Sequence, residues 1–436
     1  MKALKITIIA LLAGFSMASC DFLDKEPTKL TPENYFNTPA EANSFLTGVY
    51  AILSQPTFYG GDYMYLVAGD DLSHYGGSGR GPASTGLICN NATTSDNAVT
   101  AFWYALYSGI NRANMFLENI DKVNGFDAGV KEQYIAEARF LRAFYYFNLV
   151  ECWGDVPFKT VSTQSVTNLN IPRTDKQEIY DFIISEMADA AETGLKSASD
   201  LAYKPGRISQ STAWGILARV YLYKGDKTKA LEYAKEVIDS KKFSLLEESQ
   251  LVKDKTWGYL CSENEYLSSL YVYDMEEGRS DVYFGEGSSA VCHISDTRRA
   301  SVFGTPGVDI DWRNQNMFFL KTGEAKTYIG KYRGVNRIPL LKLSEMYLIA
   351  AEASGDKSYL QTLRDHRGYV NYPLEENCDL AAEIEAEYRK EFMAEGQLFY
   401  YYKRLDYITL PDMGVVMTGN YVFPMPDDEM EFGDIK

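Results

Sequence analysis

The sequence predicts a mainly α-helical protein in which tetratricopeptide-like helical hairpins carry long irregular loop insertions and a few short strands. Three observations support this fold class: a helix that is apolar on two opposite faces, two hairpin motifs with the same turn, and two long stretches rich in glycine and aromatic residues. The chain has 436 residues, 46% of them hydrophobic, which is sufficient for a large core without disulfide bonds.

The first 19 residues have the features of a secretory signal peptide. Lys2 and Lys5 precede an apolar run at 6–15, which is too short to remain in a membrane as a spanning helix. Small residues then lead to Cys20, and the sequence MASC resembles a bacterial lipobox, in which the cysteine is acylated. We therefore expect cleavage before Cys20 and a lipid anchor that attaches the folded chain to a membrane surface.

The chain is acidic, with a formal net charge of −17. Removing Lys2 and Lys5 from its 43 basic residues leaves 41 against 60 acidic ones, a net charge of −19. This charge disfavours nucleic acid as a partner, because that affinity depends on neutralising phosphates. The cysteines after Cys20 are odd in number and widely separated, and no zinc, other metal or cofactor motif is present.

A helix start is predicted at Thr38, where Thr is the cap, Pro39 takes the first helical position and Glu41 completes a capping box. The apolar residues that follow lie on one face: Ala42, Phe45, Leu46, Val49, Tyr50 and Leu53. From 56 to 98 the chain changes to Gly, Ser, Thr, Asn and Asp with interspersed tyrosines. This pattern predicts a long loop, the first insertion (56–98), and such loops often carry function.

The helix predicted between Gln133 and Pro157 is the centre of the fold. Its apolar residues form two series at helical spacing: Ala136, Phe140, Ala143, Phe147 and Val150, and Tyr134, Ala138, Leu141, Tyr145, Leu149 and Cys152. At about 100° per residue the two series lie on opposite faces of one helix. A helix of this kind is an inner layer with other helices packed on both sides.

Two helical hairpins follow. In the first, Trp214, Leu217, Ala218 and Tyr221 match the first helix of a tetratricopeptide repeat, and Gly225-Asp226 makes the turn. Small residues on the second helix, Ala230 and Ala234, let the two helices approach closely. A weaker version occurs at Leu343, Met346, Tyr347 and Ala350, followed by the same Gly-Asp-Lys turn at 355–357. The repeats have no fixed period, which predicts a few hairpins with insertions and not a regular solenoid.

Between the hairpins lies a second stretch rich in glycine and aromatic residues, the second insertion (244–336). Tyr266–Tyr273 within it has the composition of a short strand. A last helix is predicted from Leu380 to Leu405.

Several segments together resemble the SusD/RagB family, the surface lipoproteins of Bacteroidetes nutrient-uptake systems. They are the lipobox, YFNTPAEANSFLTGVYAIL, WYALYSGINRANMFLENI, EARFLRAFYYFNLVECWGDVPF, the hairpin at 214–238, SDTRR, KLSEMYLIAAEA, RKEFMAEGQLFYYYKRLD and VFPMPDDEM. They occur in the family's order and cover nearly the whole chain after Cys20, so the set is far more specific than any single segment.

The resemblance implies a SusD-like α/α fold in one domain at 20–436, after a signal peptide at 1–19. We expect an N-terminal helical half at 20–243 with the first insertion, and a C-terminal half at 244–436 with the second. The resemblance also implies an outer-membrane, surface-exposed lipoprotein whose helical side docks on a SusC-type TonB-dependent channel. It implies capture of a glycan on the other side and no catalysis.

The two insertions are expected to converge and to form the glycan site, because sugars offer both apolar ring faces and hydroxyl groups. The candidate aromatic platforms are Tyr59, Tyr63, Tyr75, Trp257, Tyr283 and Trp312. The candidate hydrogen-bond partners are Arg80, Asn90, Asn91, Asp96 and Asn97. The resemblance favours the segment 90–97, because in the family the segment just ahead of this helix contributes to the site.

Three alternatives are weighed against this interpretation. Glu387, Glu391 and Glu395 follow i, i+4 spacing and could serve a glycosidase as acid and base. Ion pairing is favoured instead by the nearby cations Arg389, Lys390, Lys403 and Arg404. A peptide could replace the glycan as ligand, since some family members bind peptides. A pure interaction scaffold is the third alternative. Asp309 and Asp311 suggest a calcium loop, but the positions after them do not fit an EF-hand.

Overall fold

The described part of the protein is mainly helical, with short strands between the helices. The structure is a computed structural model, and it describes residues 35–55, 57–58, 74–75, 93–95, 97–163, 171–197, 206–248, 266–271, 292–304, 310–320, 327–329, 337–393, 395, 397–409 and 421–432. In chain order the helices are α1 Pro39–Tyr50, α2 Asn97–Asn119, α3 Val130–Trp153, α4 Lys176–Thr193, α5 Gln210–Lys224, α6 Lys227–Asp239, α7 Asp296–Phe303, α8 Trp312–Asn316, α9 Leu343–Ser354, α10 Lys357–Arg364, α11 Leu380–Glu391, α12 Leu398–Arg404 and α13 Asp427–Phe432.

Helix α3 is buried along most of its length, which confirms the prediction of an inner layer. Helix α2 packs on one side of it and α4 on the other. The Tyr145 ring faces Gly109 of α2, whereas the Phe147 ring meets Tyr180 of α4 edge to face. These two α3 residues belong to the two opposite apolar series, so the periodicity of the sequence sets the layer order.

The start of α1 has the predicted cap. The Thr38 side chain accepts a hydrogen bond from the Glu41 backbone N–H, and the Glu41 carboxylate accepts one from the Thr38 N–H. The sequence also predicts a helix start capped by Thr174 with Gln177, but the cap of α4 lies one residue later. Asp175 is the N-cap there, because its carboxylate accepts from the backbone N–H of Gln177 at 2.7 Å.

The two predicted hairpins are confirmed. Helices α5 and α6 pack against each other across the turn at Gly225, whose φ is +88°, and α9 and α10 do so across Gly355, whose φ is +71°. Both glycines occupy the left-handed region that ends many helices and that other residues enter at a cost. Helix α6 packs on α9, so α3, α4, α5, α6, α9 and α10 form one run of neighbouring helices.

The strands are short and form small antiparallel sheets. They are β1 His74–Tyr75, β2 Val156–Pro157, β3 Arg173–Thr174, β4 Tyr266–Tyr271, β5 Cys292–Ile294, β6 Phe318–Leu320, β7 Thr327–Ile329 and β8 Arg337–Lys342. One sheet has the order β1-β5-β7-β6, and two further pairs are β2-β3 and β4-β8. Strand β4 confirms the strand predicted at Tyr266–Tyr273 and ends two residues earlier.

The last predicted helix, from Leu380 to Leu405, is instead two helices, α11 and α12. A lysine from another part of the chain contacts the end of α11. The Lys342 ammonium, at the end of β8, donates to the backbone carbonyl of Glu391 at 3.2 Å and so satisfies a carbonyl at the end of α11. Apolar spacing along the sequence does not predict this contact.

A matched pair of glycine variants tests how closely α2 and α3 pack. A Cβ at Gly109 would lie 2.5 Å from Cε2 of the buried Tyr145, whose hydroxyl donates to the Val49 carbonyl at 2.6 Å. We expect Gly109→Ala to lower the free energy of unfolding by about 1–3 kcal/mol through overpacking. A Cβ at Gly48 of α1 meets nothing within 4 Å.

The control Gly48→Ala should therefore raise the free energy of unfolding by about 0.5–1 kcal/mol, because a helical alanine replaces a helical glycine. Urea denaturation followed by circular dichroism measures both variants. Equal effects of the two substitutions would contradict the packing described between α2 and α3.

Candidate ligand-binding face

The two insertions meet in one sheet. Strand β1 belongs to the first insertion and β5 to the second, and they pair antiparallel with His74 opposite His293 and Tyr75 opposite Cys292. Strand β7 pairs with β5 on its other edge, and β6 pairs with β7. Segments more than 200 positions apart in the sequence are thus adjacent, which agrees with the expectation that the insertions converge.

Trp312, a predicted platform, begins the short helix α8. Its indole is half-buried and packs against the core. The backbone around it requires a glycine nearby, because a Cβ at Gly368 would lie 2.1 Å from the Ile310 carbonyl oxygen and 3.1 Å from the Trp312 ring nitrogen. Gly368 has a φ of +111°, a second reason why a larger residue does not fit.

The residues on either side of Trp312 are fixed by buried charges. The Arg313 guanidinium donates to Asp311 at 2.7 and 2.9 Å, to Glu387 at 2.5 Å and to Glu391 at 2.9 Å. All of these side chains are at most 2% exposed. Asp311 and Arg313, on either side of Trp312, are therefore fixed to α11 by these contacts.

Glu391 is the centre of this buried charge network. Its two carboxylate oxygens each accept a hydrogen bond of 3.0 Å from Arg367, and one also accepts from Lys342 at 3.1 Å. Lys342 donates in addition to Glu395 at 2.8 Å. The network has equal numbers of acidic and basic members: Asp311, Glu387, Glu391 and Glu395, with Arg313, Lys342, Arg367 and Lys390.

The charges of the network determine whether its carboxyl groups are ionised. Burial by itself raises the pKa of Glu391, but the adjacent charges of Arg367, Lys342 and Arg313 outweigh burial and hold that pKa well below its usual value. Burial likewise opposes ionisation of Asp311, and Arg313 reverses the effect, so the Asp311 pKa is also lowered. Both side chains are therefore carboxylates at neutral pH.

Ion pairing of the three glutamates, as favoured from the sequence, is confirmed, although most of their partners differ from those expected. The cations come from the second insertion, β8 and the turn after α10, and not from the neighbouring positions of the sequence. Two of the expected cations have other partners, since Lys403 pairs with Glu151 and Arg404 with Glu352. Buried carboxylates that are held by several cations are poorly suited to exchange protons with a substrate.

An exposed aromatic residue that was not predicted from the sequence, Tyr372, follows the turn that contacts α8. A π-helical turn, Asp365–Tyr369, contains Gly368, and the chain after it carries Val370 and Tyr372, which are 64% and 52% exposed. The Tyr372 backbone N–H donates to the Tyr369 carbonyl at 2.8 Å. Single π-helical turns are often found at functional sites. We call Trp312, Val370, Tyr372 and the β1-β5-β7-β6 sheet the insertion face.

The remaining candidates are placed as follows. Asn97 is exposed at the start of α2, and Tyr75 lies in β1. The other candidates lie outside the described residues: Cys20, Tyr59, Tyr63, Arg80, Asn90, Asn91, Asp96, Trp257 and Tyr283. Within the part of the chain that the structure describes, no group of three or more His, Cys, Asp or Glu side chains is arranged to hold a metal ion.

A stack of helical hairpins that carries an aromatic-rich face beside a buried charge network defines a helical-repeat protein. Residues 21–222 match the SusD-like family model described as starch-binding and associating with the outer membrane. This match confirms the resemblance to the SusD/RagB family that the motifs of the sequence predict.

Relatives and solved structures are likewise SusD-like proteins. The chain is 34% identical over 248 residues to SusD-like protein P2 of Formosa agariphila, covering 55% of this chain and 47% of that protein. It is 31% identical over 138 residues to the starch-binding protein SusD of Bacteroides thetaiotaomicron, covering 30% of this chain and 23% of that one. The chain spans about half the length of SusD-like protein P2 and of two further Formosa agariphila relatives.

Among solved structures, a SusD superfamily protein from Bacteroides thetaiotaomicron has a TM-score of 0.77 at 23% identity, with 90% of this chain and 98% of that chain covered. A laminarin-binding SusD-like protein has a TM-score of 0.75 at 22% identity, with 92% and 99% covered. At these identities the likeness establishes the fold, and it confirms the mainly α, SusD-like architecture.

Replacing the central carboxylate tests the buried charge network. We expect Glu391→Gln to lower the free energy of unfolding at pH 7 by about 3–5 kcal/mol, because it leaves buried cations without their shared partner. The lowered pKa of Glu391 gives stability that is present above the pKa of the unfolded chain and is lost as the pH falls through the folded value. The difference between wild type and variant should therefore shrink below about pH 4.

The control is Glu232→Gln, which removes the exposed pair between Lys229 and Glu232 and should change stability little. Urea denaturation at several pH values measures all three proteins. A Glu391→Gln variant as stable as Glu232→Gln at pH 7 would refute the role given to the network.

Proposed function

We propose that the protein binds an oligosaccharide or polysaccharide at the insertion face and passes it, without chemical change, to a SusC-type TonB-dependent channel of the outer membrane. The observation that carries the proposal is the pairing of the two insertions in one sheet, with the half-buried Trp312 in the second insertion and the exposed Tyr372 after the turn that contacts α8. Similarity to a family described as starch-binding supports the same ligand class.

The chemistry of sugars matches this face. The C–H surface of a pyranose ring packs on an aromatic ring, and its hydroxyls need donors and acceptors around that ring. A platform that is already fixed loses little conformational freedom when the ligand arrives, so more of the contact energy appears as affinity. A relative named as a starch-binding protein and a similar solved structure named as laminarin-binding also favour a glucan-like ligand.

A binding role without catalysis is part of the proposal. The glutamates that would have served as acid and base are buried and paired with cations. The purified protein should therefore release no reducing sugar from a glycan that it binds.

The cell-surface location is proposed from the lipobox and the family. Among the described helices, none combines the length and the apolar character needed to cross a bilayer. The family model is described as associating with the outer membrane. Acyl chains on Cys20 would supply attachment, and the helical hairpins would face the channel.

Aromatic variants test the glycan site. We expect Trp312→Ala and Tyr372→Ala each to weaken binding of a glycan ligand about tenfold, because loss of one stacked ring removes roughly 1–1.5 kcal/mol. The control is Trp214→Ala, which removes a half-buried tryptophan from hairpin helix α5 and should leave affinity unchanged. Calorimetric titration against a panel of glycans gives the affinities, and thermal unfolding confirms that each variant is folded.

Binding of peptides together with failure to bind any glycan would replace the sugar assignment by a peptide-binding role. Equal loss of affinity in Trp214→Ala and Trp312→Ala would show that the insertion face is not the site.

The lipid anchor is tested by Cys20→Ala. Metabolic labelling of the protein with a radioactive fatty acid should disappear in the variant, because the thiol that would carry the acyl chain is absent. The control Cys378→Ala removes a partly exposed thiol of the folded domain and should not alter labelling. Persistent labelling of Cys20→Ala would refute the anchor.

A further inference from the structure

A cavity of about 570 Å³ lies where the C-terminal ends of α3, α5 and α12 meet the N-terminal end of α4. Its size is within the range of about 300–1,000 Å³ that ligand pockets occupy. None of the described residues that line it belongs to either insertion. The cavity is therefore separate from the insertion face, and the proposed function does not use it.

Two cations that line this cavity, Lys403 and Arg404, are already paired with carboxylates. The Lys403 ammonium donates to the Glu151 carbonyl oxygen and lies 3.4 Å from the Glu151 carboxylate, which also accepts from the Tyr180 hydroxyl. Arg404 donates both terminal nitrogens of its guanidinium to the carboxylate of Glu352. A ligand that entered would meet little uncompensated charge on these walls, which favours a neutral ligand over an ion.

The rim of the cavity offers both hydrogen-bond donors and acceptors. Gln177 and Lys176, at the start of α4, and Asp406, after α12, line the cavity and are exposed. An amide, an ammonium and a carboxylate together match hydroxyl groups, which donate and accept at once. The rings of Tyr223 and Tyr407 also line the cavity and are half-buried, so they add apolar surface suited to the C–H face of a sugar.

The backbone of two lining residues has an unusual conformation. Asp406 and Tyr421 each have a φ of +51°, and only one other non-glycine residue among those described has a positive φ. The Tyr421 hydroxyl donates to the Tyr407 carbonyl at 2.8 Å and holds this arrangement. A bulky residue with positive φ is strained, and such strain tends to occur at binding sites.

From these observations we propose that the cavity is a second saccharide-binding site, which takes a neutral disaccharide or trisaccharide. Compensated walls, a rim of mixed donors and acceptors and two tyrosine rings suit a short polyhydroxylated ligand. The site would hold a sugar on the helical scaffold independently of the one at the insertion face.

The test uses the full protein carrying Trp312→Ala and Tyr372→Ala, so that binding at the insertion face is weakened. The probes are neutral trisaccharides: laminaritriose, maltotriose, cellotriose, β-1,4-mannotriose and β-1,4-xylotriose. We expect at least one to bind in calorimetric or NMR titration. Adding Gln177→Trp, which places a large ring at the mouth of the cavity, should weaken that binding at least about tenfold, or 1.4 kcal/mol.

The matched control is Glu178→Trp. Glu178 is the next residue of α4, is exposed, and does not line the cavity, so the same new side chain should leave trisaccharide affinity unchanged. Thermal unfolding of both tryptophan variants confirms that they fold alike.

Two results would overturn the inference while leaving the proposed function intact. One is that the Trp312→Ala, Tyr372→Ala protein binds none of the trisaccharides that the wild type binds. The other is residual binding that Gln177→Trp does not reduce. If the wild type binds no glycan, both proposals fail. Binding of the dipeptide Gly-Tyr in place of all trisaccharides, abolished by Gln177→Trp, would also overturn the saccharide assignment.

Discussion

The arrangement of this protein depends on one buried carboxylate, Glu391, and the three cations that share it. The cations come from separate parts of the chain: Arg313 from the second insertion, Lys342 from β8 and Arg367 from the π-helical turn. A buried charge is tolerated only when its partners are in place, because removing it from water costs several kcal/mol. The network therefore permits one arrangement of these segments and penalises others. We infer that its main contribution is specificity of structure.

The scaffold handles its other buried polar groups in the same way. On α3, the Glu137 carboxylate accepts hydrogen bonds from Tyr50, Gln133 and Arg207, which lie on three different segments. Between α5 and α9, Arg219 donates two hydrogen bonds of 2.6 Å to Glu345. The Tyr50–Glu137 and Arg219–Glu345 contacts join different helices and add direction to the packing, because apolar contacts have little directional preference. Apolar periodicity gives the order of the layers, and these pairs fix their register.

Much of the helical scaffold could be predicted from local patterns. The two apolar series of α3, the cap at Thr38 and the turn glycines Gly225 and Gly355 act over a few residues, so the sequence alone reveals them. Apolar periodicity did not reveal the break between α11 and α12, where Lys342, about 50 positions earlier in the chain, donates to the Glu391 carbonyl. Gly396, which lies between the two helices in the sequence, is a poor helix former and was the local signal for a break.

The binding face was predicted less completely. The position of Trp312 in an aromatic-rich insertion made it a candidate platform, but nothing marked Tyr372, which lies outside both insertions. An exposed tyrosine and a buried one look the same in a sequence without periodicity. Gly368 was the available signal: a glycine with positive φ that makes room for Ile310 and Trp312 brings the segment carrying Tyr372 to the same place.

The burial of the charge network has a consequence for the surroundings in which the protein can operate. Ions in solution screen exposed charges over about 8–10 Å at ordinary salt, but they cannot enter a site whose members are almost fully covered. The attraction around Glu391 should then be nearly the same in dilute and in saline water. A fold built on such a centre keeps its arrangement when the ionic strength of the medium changes.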